Sequence, residues 1–411
     1  MRQIAVTGIL VACSPVCHCG KDDRNGSNGK NNEKDTLFKL PVLTMGETKK
    51  GEGFARFTEV YSISPNHFRS ALRDACAEVV WEKLPEKARD LYAYRLLFSG
   101  GFQQEKKKKG NGNGNENGNG EESEEGKKLN ASPLETLNYL QRNLFMDLWG
   151  GSTQIDNVLL VPSRVKTFIA PIYKETRYLW ESRCQVRIEK IRDALDASGF
   201  SGPLSSVICA SVENPPYCPK PVEVLVTVRD NIDQKLVEKY RKFYELDEEF
   251  LDKNKTLKEL LKGSNLQTIK ALPLGVSFLC TLQAKMNDFP EDLQKLETGC
   301  LIKGLERFGR SPVLGGKTAM GMGVFSGVFL VELMENGEVK EDGYIFFDGV
   351  SEEVQSTFKG APFLAESAKT FEGMSPEQAC LFLDPGMRPK KLMEQIKKAE
   401  ERIKEAEAGR A

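Results

Sequence analysis

The sequence predicts an α+β fold in which a sheet is interrupted by large insertions. Gln3–Ala12 is rich in β-branched residues and reads as a first strand. Ile63–Arg73 and Pro290–Phe308 open or form helices with one apolar face. Between the second helix and an apolar strand at Val324–Val331 lies a glycine-rich loop, Pro312–Val324. Strands and amphipathic helices therefore alternate along the chain, as they do in α+β domains.

Composition limits the possible functions. The 411 residues include 58 Lys and Arg against 59 Asp and Glu, so a nucleic-acid site must be a local groove. Ten cysteines without framework spacing predict reduced thiols and a cytoplasmic protein. No apolar run approaches a transmembrane length, and we predict no membrane partner. We predict no cofactor, and no metal either, because Cys17-His18-Cys19 is too compact to supply three ligands to one zinc.

The N-terminus has a second interpretation. Leu10-Val11-Ala12-Cys13 resembles a lipoprotein signal, which would make the chain a lipid-anchored surface protein. The apolar stretch is short and is interrupted by Thr7 and Gly8, so we adopt the strand. An intact N-terminus in mass spectrometry of the native protein would exclude the anchor.

The sequence patterns divide the chain into four predicted segments. Residues 1–102 form the first part of a core, and 103–131 form a disordered insertion, because its basic, Asn/Gly and acidic tracts contain almost no apolar residue. Residues 132–350 complete the core, and 351–411 form a C-terminal extension. The elements predicted within them are a hairpin or arm at 37–58, a helix up to 148, strands at 158–161, 165–172, 207–212, 222–228, 274–285 and 344–348, and helices at 175–197, 233–262 and 389–408.

This order of elements resembles a ferredoxin-like, RNA-recognition-motif-like sheet with large insertions, some of them helical. Sheets of that kind usually stack bases on paired aromatic residues. No candidate strand shows such a pair, so recognition through the nucleic-acid backbone is the better prediction.

The glycine loop is the strongest candidate site. Its glycines permit positive φ, their N–H groups can form a concavity for anions, and Lys317 beside Thr318 adds a positive charge. The alternative is a tight connection between helix and strand. A helix–loop–strand order excludes both the nucleotide-triphosphate loop and the dinucleotide fingerprint. The glycines of this site are Gly315, Gly316, Gly321 and Gly323.

Four basic side chains are further candidates. Arg69 and Arg73 lie four residues apart near the start of a helix, where two cations oppose the helix dipole and an anion would help. The alternative is that both arginine side chains are simply exposed to water. Arg164 and Lys166 lie at the junction of two predicted strands, where they either face water or line a groove.

Five segments of the chain resemble the RAMP superfamily, specifically the backbone subunit that polymerises along guide RNA in CRISPR effector complexes. Type IV is most similar and type III next, and the resemblance covers roughly residues 3–102 and 132–331. The segments are Ser14–Gly20 after the first strand, Ile63–Arg73, Leu314–Gly323, and two glycine stations at Phe98–Gly101 and Leu148–Gly151. Ser70 stands where the family usually has glycine.

The resemblance implies that several copies line up along one guide RNA, while a thumb-like hairpin displaces single bases at intervals. The implied partners are guide RNA, the complementary target nucleic acid, copies of the chain itself and other CRISPR effector subunits. Guide sequences vary, so the contacts should go to phosphate and ribose. His18 and Asn66 lie in the first two matching segments and complete the predicted RNA-binding set.

An enzymatic alternative follows from the same resemblance. Type III relatives cut target RNA with a loop aspartate, and Asp35 is the best match among Asp22, Asp23 and Asp35. These acids are otherwise solvated loop residues. The chain has only two histidines, His18 and His67, which disfavours a histidine-based ribonuclease. We predict a non-catalytic subunit, with a metal-dependent target-RNA endoribonuclease using Asp35 as the alternative.

Overall fold

The computed structural model describes residues 2–17, 37–47, 53–99, 101–102, 143–153, 160–198, 200, 203–227, 266–316, 318 and 321–383. Three predicted elements lie outside these ranges: the insertion at 103–131 and the charged helices at 233–262 and 389–408. The described strands are β1 (Arg2–Ala12), β2 (Lys39–Glu47), β3 (Gly53–Tyr61), β4 (Gly101–Phe102), β5 (Gly151–Thr153), β6 (Leu160–Val161), β7 (Val165–Pro171), β8 (Val222–Thr227), β9 (Leu266–Ala271), β10 (Ser277–Lys285), β11 (Phe325–Glu335), β12 (Glu338–Asp348) and β13 (Glu353–Thr357).

The described α-helices follow the predicted apolar periodicity in most places. Two of the core helices each bury one face: α1 buries Phe68, Leu72 and Val80, and α6 buries Leu301 and Leu305. The helices are α1 (Pro65–Lys83), α2 (Leu91–Ser99), α3 (Leu144–Trp149), α4 (Arg177–Ser198), α5 (Pro203–Glu213), α6 (Glu291–Arg310), α7 (Pro362–Glu372) and α8 (Pro376–Ala379).

A six-stranded antiparallel sheet organises the fold, with the order β13-β12-β11-β1-β10-β7. Strand β1 lies between β10 and β11 and is antiparallel to both. Along the chain, helix α1 lies between β1 and β7, and helix α6 lies between β10 and β11. In both cases the two strands are separated in the sheet by one other strand, so each helix is part of a crossover connection. The structure is therefore α+β, as predicted.

Both faces of the sheet are covered, which explains why β1 reads as a continuous apolar run rather than a strict alternation. Ile4, Val6 and Leu10 belong to the larger core, which includes residues of α1 and α6. Ile9 and Val11 belong to a second core with residues of α4 and α5. The strand predicted at the N-terminus is confirmed as the central strand of the fold.

One predicted strand is wrong. Residues 207–212 belong to helix α5, and Ile208 in it packs in the second core. A short apolar run cannot distinguish a strand from a buried helix, and Pro203 at the first position of α5 was the signal for a helix. Of the two alternatives predicted for 37–58, a hairpin or an arm, the structure has the hairpin: β2 and β3 pair from Lys39–Tyr61 to Glu47–Gly53, three residues beyond the predicted end.

The strand predicted at 344–348 is longer, because β12 begins at Glu338 after an Asn336-Gly337 turn with φ of 51° and 89°. Part of the segment 351–411 also folds onto the core: Phe363, Leu364 and Phe382 are buried. Over the described ranges, no helix is both long enough and apolar enough to cross a membrane.

Candidate nucleic-acid interface

Three segments that are distant in the sequence meet at one end of β1. The Gly323 N–H donates to the Pro15 carbonyl oxygen at 2.9 Å, and the Gly316 N–H donates to the carbonyl oxygen of Cys17. These bonds hold the glycine loop against the residues that follow β1. The structure thus brings together two of the segments that the sequence marked separately.

His67 connects helix α1 to the same loop. The Gly315 N–H donates to His67 Nε2 at 2.8 Å, so this nitrogen carries a lone pair and the imidazole is neutral. Burial lowers the pKa of His67 from its ordinary value of 6.5. His67 is therefore a positioning residue of the loop, a role that the sequence did not assign to it.

We expect the His67 contact to make stability depend on pH. A lowered pKa means that this contribution is complete above pH 6.5 and is lost as the pH falls through the pKa of the folded state. His67→Ala should cost about 1–3 kcal/mol at pH 8, because it leaves a largely buried N–H without an acceptor. His67→Gln, whose amide oxygen can accept, should restore part of this and flatten the pH dependence. Urea unfolding at pH 5 and pH 8 measures both effects.

The other histidine supplies the control for this experiment. His18→Gln should retain the pH dependence if His67 causes it. A His67→Gln variant whose stability still falls with acid as in the parent protein would contradict the assignment.

The backbone of the glycine loop differs from the predicted open concavity of N–H groups. All four predicted glycine N–H groups donate within the protein: those of Gly315, Gly316 and Gly323 as above, and that of Gly321 to the Thr318 carbonyl oxygen at 2.9 Å. The glycines are needed for backbone shape, since a Cβ on Gly323 would overlap the Leu314 carbonyl oxygen. Thr318 is exposed, and Lys317 lies outside the described residues.

The root of the β8–β9 hairpin joins this site. Val16 and Leu272 exchange two backbone hydrogen bonds of 3.0 and 2.8 Å just beyond the end of β9. A small buried cluster of Cys17, Ile269 and Met322 then packs the hairpin against the loop. This hairpin is the candidate for the predicted thumb, and residues 228–265 between its strands lie outside the described part of the chain.

Arg69 and Arg73 face the interior of the protein. Arg69 Nη2 donates to the Trp149 carbonyl oxygen at 2.8 Å, and Arg73 Nη2 donates to the Leu96 carbonyl oxygen at 2.9 Å. Burial lowers the pKa of the Arg73 guanidinium. Trp149 belongs to one predicted glycine station and Leu96 lies just before the other, so the arginine pair organises these segments from within.

Arg164 is also internal. Its guanidinium contacts the carboxylates of Asp147 and Glu297, and the Glu297 oxygen lies 2.6 Å from Nη2. Asn287 Nδ2 donates to Asp147 at 2.7 Å. We therefore leave Arg69, Arg73 and Arg164 out of the proposed interface.

The remaining predicted residues are placed as follows. Asn66 is exposed in the first turn of α1, beside His67. Lys166 is exposed on β7 and lines a cavity of about 500 Å³ on the face of the sheet that α4 covers, away from the glycine loop. His18 and Asp35 lie outside the described residues and stay predictions. In the described ranges, no group of three or more His, Cys, Asp or Glu side chains could hold a metal ion.

Two of the solved structures that are similar to this chain are as follows. A chain of a "Type IV-B CRISPR Complex" has a TM-score of 0.38 and 13% identity, covering 81% of this chain and 92% of that one. Csc2 of Thermofilum pendens has a TM-score of 0.28 and 10% identity, covering 96% of this chain and 77% of that one. At these values neither match assigns a family or a function to this chain. No protein-family model and no curated protein matches it.

Proposed function

We propose that this chain is a guide-RNA-binding backbone subunit of a CRISPR ribonucleoprotein and that its core is ferredoxin-like. The observation that carries the proposal is the meeting of the glycine loop, the segment after β1 and the start of α1 at one end of the central strand. These are three of the five segments that carry the sequence resemblance. The order β11-β1-β10-β7, with α1 and α6 in the two crossovers, supports the ferredoxin-like assignment.

In this proposal RNA contacts depend on polar side chains of the loop sequence and of the start of α1. Lys317 supplies the charge for a phosphate, and the exposed hydroxyl of Thr318 and amide of Asn66 supply neutral hydrogen bonds. Contacts of this kind read the sugar-phosphate chain and tolerate any guide sequence, as a guide-binding subunit requires.

The proposed assembly is a set of copies along one guide RNA, in contact with complementary target nucleic acid and other effector subunits in the cytoplasm. Balanced net charge favours it, because neighbouring copies then repel one another little. We propose that the chain is not itself a nuclease. Guide-directed target cleavage that disappears in Asp35→Ala would replace this part of the proposal with the endoribonuclease alternative.

Lys317→Ala tests the interface. We expect the affinity for single-stranded RNA to fall about tenfold at low salt, and the dependence of log affinity on log salt to weaken by about 0.7, as for one lost phosphate contact. Fluorescence anisotropy across a salt titration measures both, and sizing reports length-dependent assembly. Lys340 lies on β12, beside the end of β11 that is farther from the loop. Lys340→Ala is therefore the control and should leave the affinity and its salt dependence unchanged. A protein that stays monomeric and indifferent to RNA would overturn the proposal.

A further inference from the structure

An exposed tyrosine stands in a rigid segment at the root of the β8–β9 hairpin. Tyr217 is 67% exposed, and it precedes β8 in the sequence Asn214-Pro215-Pro216-Tyr217-Cys218-Pro219-Lys220-Pro221. Four prolines in eight residues fix the backbone φ and reduce the freedom of the chain. A large aromatic side chain held in water on such a segment is available for a ligand.

The backbone on both sides of Tyr217 is fixed to one short turn. The Lys174 N–H donates to the Pro216 carbonyl oxygen at 2.9 Å, and the Cys218 N–H donates to the Glu175 carboxylate at 3.2 Å. Two consecutive residues, Lys174 and Glu175, thus hold the neighbours of Tyr217 while its side chain stays largely exposed. The backbone around the ring is preorganised, so little conformational entropy is lost when a ligand binds to the ring.

Lys174 completes this arrangement. Its Nζ lies 4.2 Å from the centre of the Tyr217 ring, within the range of a cation–π contact. The lysine is exposed, and the structure gives it no ion pair among the described residues. Its charge sits on one face of the ring, and the tyrosine keeps most of its surface exposed. An aromatic face beside an unneutralised cation suits a base and its phosphate in a single-stranded nucleic acid.

The position of this pair matches the proposed interface. Val222 begins β8 and pairs with Ala271, and the next residue, Leu272, is bonded to Val16 beside the glycine loop. With strands about 5 Å apart, the start of β8 lies roughly 15 Å from the loop. Tyr217 lies five residues before that start, within reach of the same RNA strand.

We propose that Tyr217 and Lys174 form a stacking site for one base of the single-stranded RNA. This inference rests on the proposed function and adds a contact that it does not contain. Stacking on one ring needs no base-specific hydrogen bond, so it is compatible with variable guide sequences.

The test compares RNA with and without bases. Tyr217→Ala should weaken binding of single-stranded RNA about 5- to 100-fold with the salt dependence unchanged, because no phosphate contact is lost. Tyr217→Phe should bind like the parent protein. For a strand of the same length whose central nucleotides are abasic, Tyr217→Ala and the parent protein should bind equally. Val186→Ala, which removes an apolar side chain of similar exposure (69%), is the matched control and should change nothing.

The outcomes separate this inference from the proposed function. If Lys317→Ala weakens RNA binding while Tyr217→Ala does not, the stacking site is wrong and the proposed function stands. If Tyr217→Ala weakens binding to abasic and normal strands equally, the ring does not stack on a base and the inference is overturned. If the parent protein does not bind RNA at all, both fail.

Discussion

Gly323→Ala is expected to destabilise the protein by about 2–5 kcal/mol and to abolish RNA binding by the loop. Gly323 has φ of +74°, a conformation that costs other residues about 1–2 kcal/mol. A Cβ there would also overlap the Leu314 carbonyl oxygen, which is backbone and cannot rotate away. The loop would have to move and would strain its bonds to Pro15 and Leu314. Denaturant unfolding measures the loss.

Gly321 provides a closely matched control. Its φ is also +74°, but nothing lies within 4 Å of the position that a Cβ would take. Gly321→Ala should therefore cost only the conformational term of about 1–2 kcal/mol and leave RNA binding largely intact. Equal losses for the two variants would show that the loop relaxes around Gly323, and the close packing of the loop would then have no energetic importance.

The sequence was sufficient to predict the parts of the fold that local patterns determine. The period of α6 and the apolar run of β1 each follow from a continuous stretch of residues. The glycine loop could be predicted in the same way, because Gly315 and Gly316 belong to one continuous glycine-rich stretch. Its contact with the segment after β1 was not predicted, because no local pattern reports a pairing between residues 17 and 316.

The direction of the arginines could not be predicted from α1 alone. Arg69 and Arg73 directly follow the buried Phe68 and Leu72, so they lie at the edge of the apolar face, where either water or the interior is available. Their acceptors are carbonyl groups 80 and 23 residues away, which only the folded chain brings near. The role of His67 was hidden for the same reason, since its partner is 248 residues distant.

Tyr217 was missed for a different reason. Paired aromatic residues on strands are the usual sequence signal for base stacking, and Tyr217 lies alone between prolines in an irregular segment. Its signal was the run of prolines itself, which predicts a fixed backbone around the single aromatic residue. The cation above the ring comes from Lys174, a residue whose closeness depends on the folded turn.

Arg164→Met is expected to cost about 3–5 kcal/mol at neutral pH, because it leaves the buried carboxyl groups of Asp147 and Glu297 without their cation. Burial already raises the pKa of Glu297, an effect that Arg164 opposes. A raised pKa stabilises the folded state below the ordinary pKa of the group and loses that contribution as the pH rises. In urea unfolding, the variant should therefore lose more stability at pH 8 than at pH 5. The control is Lys166→Met, at an exposed position two residues away, whose stability should stay within about 0.5 kcal/mol of the parent protein at both pH values. An equal loss at the two pH values would mean that Arg164 acts through packing, and the charge balance of this network would not contribute to stability.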